Sequence, residues 1–213
     1  MIKLSASSLN LLCECPRCFW LYVNKKIERP RIPVATITTG LDRVIKDYFN
    51  LYRVKNLLPP FLEGKFKANL ARSLPKNGYL EYADLKEDAK LGGYLDDCLE
   101  FFDHHYAALD HKTRGLAPDE IHRSYQLQMD VYTFLLEENG FPTHRIAYIV
   151  YYIPKMINAD SSFNFDILLK EIKTDPAMAK KVFYDAIKIL KGPIPDLNES
   201  CEFCKWIKTK DIK

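Results

Sequence analysis

A mixed α/β domain, built as a central sheet flanked by helices, is the fold class this 213-residue sequence predicts. Three observations predict it. Short apolar runs at 91–101 and 106–112, separated by Asp103-His104-His105, have the length and spacing of a β-hairpin. The run Ile146-Ala-Tyr-Ile-Val-Tyr-Tyr-Ile153 is rich in the β-branched and aromatic residues that fill strands. Apolar residues at three- and four-residue steps mark helices before, between and after these segments.

In chain order, 5–24 reads as one or two helices, with Ser5 or Ser7 as cap and Pro16 opening the second. Arg29-Pro30-Arg31-Ile32-Pro33 is an extended connector, because each proline pushes its predecessor out of the helical region. Residues 39–54 form a helix whose apolar face is Leu41, Val44, Ile45, Tyr48, Phe49 and Tyr52, ended by Leu58-Pro59-Pro60. Residues 61–88 read as irregular, with a turn at Lys76-Asn77-Gly78. After the hairpin and a loop at 115–120, residues 125–138 form a helix closed by Asn139-Gly140. Strands follow at 145–153 and 162–172. Asp175 then caps a helix to Leu190 with Pro176 in its first turn, and Pro193-Ile194-Pro195 links it to a short cysteine tail. The whole of 1–213 reads as one domain.

Apolar residues make up 47% and charged residues 28%, which suits a globular core and excludes a disordered chain. The net charge of +3 is too small to identify a nucleic-acid partner by itself. Both ends are locally basic, with Arg17, Lys25, Lys26, Arg29 and Arg31 near the start and Lys205, Lys208, Lys210 and Lys213 at the finish. No segment approaches the ~20 apolar residues a membrane span needs. The short run Leu9–Leu12 is broken by Cys13-Glu14-Cys15-Pro16-Arg17, so it does not read as a secretion signal. A cytoplasmic address without a membrane partner is the expectation, and clustered cysteines then read as metal ligands before disulfides.

Polar residues interrupt the central strands at chemically informative places. Gly93-Tyr94-Leu95-Asp96 puts a carboxylate inside an apolar run, and Leu109-Asp110-His111-Lys112 ends the next strand with an acid and a lysine two residues apart. Residues two apart on a strand face the same side, so Asp110 and Lys112 share one space, and a neighbouring strand can bring Asp96 beside Asp110. Two carboxylates suit Mg²⁺ or Mn²⁺. Such an ion activates a water and neutralises a phosphate, while a nearby ammonium orients that water. The backbone carbonyl of His111 is a further candidate ligand.

Gly93-Tyr-Leu-Asp96, Leu109-Asp110-His-Lys112-Thr-Arg-Gly115 and Gln126-Leu-Gln128-Met-Asp-Val-Tyr132 resemble the nuclease motifs and the Gln-x-x-x-Tyr motif of RecB-type PD-(D/E)XK nucleases. The resemblance implies a restriction-endonuclease-like core and metal-dependent cleavage of DNA, with single-stranded or free-ended DNA as substrate. It assigns Asp96 and Asp110 to the metal, Lys112 to catalysis, and Gln128 and Tyr132 to the scissile region. It departs in one place: where relatives carry a metal-binding histidine four residues after a glycine, Gly40 is followed by Val44, leaving Asp42, Asp47 or water as substitutes.

Six cysteines complete the pattern. Cys98 reads as a core residue. Cys13-x-Cys15-x-x-Cys18 and Cys201-x-x-Cys204 lie at opposite ends, where a shared metal would staple the termini together. This arrangement resembles the iron–sulfur branch of the same superfamily, which includes AddB and the CRISPR-associated RecB-like exonucleases. It implies a [4Fe–4S] cluster, but relatives take one cysteine from the start and three from the end, and here nothing after Cys204 supplies a third; the expected set is Cys15, Cys18, Cys201 and Cys204, with Cys13 able to take the place of Cys18. Four thiolates equally suit zinc. DNA, together with CRISPR or repair proteins, is the partner set the resemblance implies.

Overall fold

The computed structural model describes residues 1–30, 36–72 and 78–208. Two mixed sheets are flanked by helices, so the mixed α/β class holds, but the sheet is divided. The smaller one has the order β1-β4-β3, from β1 (Ile2–Leu4), β3 (Tyr79–Asp84) and β4 (Ala89–Tyr94). The larger has the order β2-β5-β6-β7-β8, from β2 (Ala68–Leu70), β5 (Asp97–Phe101), β6 (Tyr106–Thr113), β7 (Ile146–Ile157) and β8 (Phe163–Lys173). Pairing in the larger sheet is antiparallel except between β6 and β7.

The helices begin as their capping residues dictate. Ser5 caps α1 (Ala6–Glu14) in a capping box with Ser8, and Pro16 opens α2 (Pro16–Trp20), which runs on into a π-helical turn at Leu21–Lys25. Helix α3 spans Thr36–Arg53 and α4 spans Arg123–Glu138 behind a His122 cap. Asp175 caps α5 (Pro176–Lys191), and a short α6 (Glu202–Lys208) carries the last cysteine.

Both faces of the larger sheet are covered, which explains the unbroken apolar run in β7. Ala147, Ile149 and Tyr151 pack with α1, α4 and α5 on one side, while Tyr148, Val150 and Tyr152 pack toward α3 on the other.

Three expectations change. Residues 61–88 are not simply irregular, since they supply β2 and β3. Two short strands with little alternation escape a periodicity reading. The run 91–101 is not one strand. It breaks at Leu95-Asp96, where Leu95 N–H donates to the Gly78 carbonyl, and its halves join different sheets. Finally, of the six residues proposed for the apolar face of α3, only Ile45 and Phe49 are buried, and Val44 and Tyr48 face outward. The rest of the Arg29–Pro33 connector and of the Lys76–Gly78 turn lies outside the described residues, apart from Arg29, Pro30 and Gly78.

Candidate active site

The sheet register brings the two proposed metal carboxylates together. In the antiparallel β5–β6 pair, Asp97 stands opposite Leu109 and Cys98 opposite Ala108. Asp96, at the bend just before β5, lies beside the Asp110–His111 segment of β6, within reach of the His111 backbone N–H, while Asp110 faces α4. Gly93 fits β4 to this helix: a Cβ there would lie 3.0 Å from the Tyr132 ring.

Asp110 is 1% exposed and forms an ion pair with Lys112. Its Oδ1 accepts from Gln128 Nε2 at 3.2 Å, and the same amide donates to the Tyr132 hydroxyl at 2.9 Å. The Lys112 ammonium also sits 5.1 Å from the Tyr125 ring centroid. Burial raises the Asp110 pKa to about 6; the Lys112 ammonium opposes that rise and the Asp96 charge adds to it. Asp96 Oδ2 accepts from the His111 backbone N–H at 3.4 Å, and Asp96 Oδ1 pairs with Lys46 at 3.2 Å. Lys46 also pairs with Asp42 at 3.0 Å. Thus Asp42 does reach the neighbourhood of the site, through an ammonium, while Val44 points away at 58% exposure.

Asp96, Asp110, Lys112, Gln128 and Tyr132 are therefore brought together. The His111 side chain goes elsewhere, onto the opposite sheet face, which leaves only its backbone for the role expected of it. Its Nε2 lies 3.0 Å from Asp97 Oδ2, its Nδ1 3.2 Å from the Tyr152 hydroxyl, and its ring 4.3 Å from Phe49. Asp97 in turn accepts from Arg53 Nε at 2.9 Å and Nη2 at 2.6 Å, and Arg53 Nη2 donates to the Asp96 carbonyl at 3.3 Å.

Sequence reasoning missed this network. The doubled acid Asp96-Asp97 was a visible signal for it, but nothing local marks Arg53 as the partner. Removing the carboxylate leaves Arg53 and His111 facing a buried gap. Asp97→Ala is expected to lose about 3–5 kcal/mol of stability in denaturant unfolding. A loss below about 1 kcal/mol would mean the network does not hold the strand break in place.

As to metal, Asp110 Oδ2 is a buried atom with no hydrogen-bond donor other than the Lys112 ammonium among the described residues. Asp96, with Lys46 on Oδ1 and the His111 N–H on Oδ2, and Asp110 are both hard oxygen donors of the type that suits Mg²⁺ or Mn²⁺.

The cysteines form a second centre. The Sγ atoms of Cys15, Cys18, Cys201 and Cys204 all lie within 4.8 Å of one another, with Cys15–Cys204 and Cys18–Cys201 at 3.6 Å and Cys18–Cys204 at 3.9 Å. This group can hold a metal or a cluster. Cys13 is exposed and outside it, and Cys98 is buried in the core, as expected for that residue. Burial pushes the Cys18 thiol up. Cys201 is drawn down to about 7: against the burial that would raise it, the backbone N–H groups of Cys204 and Phe203 and the Cys18 and Cys15 thiols favour its thiolate. Arg29 Nη2 donates to Cys201 Sγ at 3.6 Å, offsetting thiolate charge. The ends are also clasped by Arg17 to the Pro195 carbonyl (2.8 Å), Trp20 to Gly192 (3.1 Å) and Asn24 to Leu190 (3.1 Å).

Among the described residues, no helix is long and apolar enough to cross a membrane. No family model matches the chain, and no curated protein does. Among solved structures, the crystal structure of SSO0001 superposes with a TM-score of 0.51, covering 97% of this chain and 84% of that one at 16% identity. At that identity the likeness is one of fold alone.

Proposed function

We propose that this chain is a divalent-metal-dependent deoxyribonuclease of the RecB-like PD-(D/E)XK type, acting on single-stranded or free-ended DNA in repair or CRISPR spacer processing. The observation that carries this reading is the convergence of Asp96, Asp110 and Lys112 on one space closed by Gln128 and Tyr132 of α4. Asp96 and Asp110 would hold Mg²⁺ or Mn²⁺, with the His111 carbonyl as a further donor. The ion, when bound, supplies charge to the phosphate and lowers the pKa of a water. Lys112 orients the attacking water and stabilises the developing negative charge. Gln128 holds Asp110 Oδ1 while Lys112 pairs with Oδ2, so an ion would share the carboxylate with both. A cavity of about 420 Å³ bordered by Asp96, Asp97, Arg53 and Arg72 lies beside Asp96, and Arg53 there is already paired with Asp97.

The test is direct. Purified protein with Mg²⁺ or Mn²⁺ is expected to degrade end-labelled single-stranded or double-stranded DNA, and chelation is expected to stop it. An absence of cutting with both ions on both substrates overturns the activity. The alternative is a catalytically silent DNA-binding module, which Lys46 on Asp96 and the outward Val44 favour. It predicts salt-dependent DNA retention without cutting.

Lys46 competes with a metal ion for Asp96 under the leading reading. Lys46→Met is therefore expected to tighten Mn²⁺ binding about three- to fivefold, the scale of one partly exposed ion pair. Calorimetric titration measures it, and unchanged or weaker binding removes Lys46 from the site.

The cysteine centre is proposed as structural. The resemblance implies a [4Fe–4S] cluster. The sulfur separations fit a single zinc ion, because thiolates at about 2.3 Å from a tetrahedral ion stand roughly 3.8 Å apart. Iron and acid-labile sulfide, or zinc, in protein purified anaerobically distinguishes the two.

A further inference from the structure

We infer that the chain carries a third metal site, for zinc or a similar transition ion, formed by Asp103, His105 and His144 at the end of the sheet away from the carboxylates. Two loops supply it. Asp103 and His105 lie in the tight β5–β6 turn, and His144 lies in the connection from α4 to β7. One donor atom from each of the three side chains falls within 4.8 Å of the others. His144 Nε2 is 2.8 Å from Asp103 Oδ2, His105 Nδ1 is 3.3 Å from Asp103 Oδ1 and 3.2 Å from the Asp103 carbonyl, and His105 N–H donates to Asp103 Oδ1 at 3.3 Å. The imidazoles are stacked with centroids 4.0 Å apart and planes 14° apart, so a turn of the His105 ring is needed to bring both nitrogen lone pairs onto one ion.

The backbone holds this arrangement at some conformational expense. His104, between two of the ligands, is left-handed at φ 61°, and Arg145, beside the third, at φ 55°. Each is a non-glycine residue in a left-handed conformation that disfavours a side chain. The loops are joined next to the site, where Tyr106 N–H donates to the Pro142 carbonyl at 2.8 Å and Tyr106 pairs with Thr143. An edge-to-face contact with Phe101 at 5.6 Å limits rotation of the His144 ring.

The donor set decides the ion. Two imidazole nitrogens and one carboxylate oxygen suit Zn²⁺, Co²⁺ or Ni²⁺ and not Mg²⁺, and leave coordination positions for water. His105 lies five residues before Asp110 along β6, roughly 16 Å away, so this site is separate from the proposed cutting centre. It contains no thiolate, which separates it from the cysteine group. Its effect is to fasten the hairpin turn to the start of β7, and this holds whether or not the chain cuts DNA.

The test uses the full chain as purified, with its cysteine centre loaded and with excess Mg²⁺ present to occupy the carboxylates. Titration with Zn²⁺ is expected to show one more bound ion per chain, at micromolar affinity or tighter, in the wild type than in His105→Ala or His144→Ala. Zn²⁺ is expected to raise the melting temperature of the wild type only. His144→Gln serves as a second variant, keeping size and polarity without a ring nitrogen. Equal stoichiometry and an equal thermal response in the wild type and the variants, or uptake only at millimolar Zn²⁺, would overturn the site.

Discussion

Asp110→Asn is expected to abolish metal-dependent DNA cleavage, lowering the rate at least about a thousandfold, while leaving the protein as stable as the wild type or more so. The two halves of this expectation have one cause. Asp110 is a buried carboxylate whose pKa is raised to about 6, so folding disfavours its charge, whereas the proposed cleavage requires it. The amide keeps the size of the carboxylate and can still meet Gln128. It cannot hold a cation as a carboxylate does.

The pH behaviour follows with a definite sign. A carboxyl whose folded pKa lies above its usual value contributes stability at low pH, and that contribution is lost as pH rises through about 6. Metal-free wild type should lose this increment between about pH 4 and 6, and Asp110→Asn should not. Metal affinity runs the other way: below about pH 6 the ion must displace a proton, so binding weakens by about tenfold per unit. Lys112→Ala should also stop cleavage, yet leave Mn²⁺ binding in place, since it removes an ammonium and no ligand. Robust cutting by Asp110→Asn and Lys112→Ala together would dismiss the site, and a large stability loss in Asp110→Asn would contradict the account of its burial.

Cys204→Ser is expected to release the metal from the cysteine centre and to lower the melting temperature by on the order of 10 °C. Cys15 and Cys204 are 189 residues apart, so a metal held there would close nearly the whole chain into a loop. Cross-linking over that span restricts the unfolded state by about 4–5 kcal/mol, and a chain of this length shifts its melting temperature by about 2–4 °C per kcal/mol. The loss should be local first. The clasps of Arg17, Trp20 and Asn24 on residues 190–195 remain, but α6 loses its main anchor, and limited proteolysis should cut near it. Cys13→Ser is the matched control, because Cys13 is exposed and outside the group, and it should keep the full metal content. Full metal content in Cys204→Ser, with an unchanged melting temperature, would remove the structural role.

Much of this was legible in the sequence because it is local. Alternation, capping and proline placement marked α1, α2, α4, α5, β7 and β8, since each depends on residues a few positions apart. Asp110 and Lys112 share a face by the period of a strand, and Gln128 and Tyr132 share one by the turn of a helix. Cysteine groups at opposite ends, Cys13, Cys15 and Cys18 with Cys201 and Cys204, pointed to a common centre, and the fold brings all but Cys13 together.

What the sequence left open was decided by contacts between residues far apart in the chain. The break at Leu95-Asp96 depends on Gly78 and on strand partners that no local pattern names. It alone lets Asp96 serve the larger sheet while β4 serves the smaller. Arg53 on Asp97, Lys46 on Asp96 and His144 beside Asp103 join residues 41 to 50 positions apart, because a side chain's charge is satisfied by whatever the fold brings near it. Periodicity determined the longer elements and, in β6 and α4, which site residues share a face; only tertiary packing determined the short strands, which face meets which, and so which charges became partners.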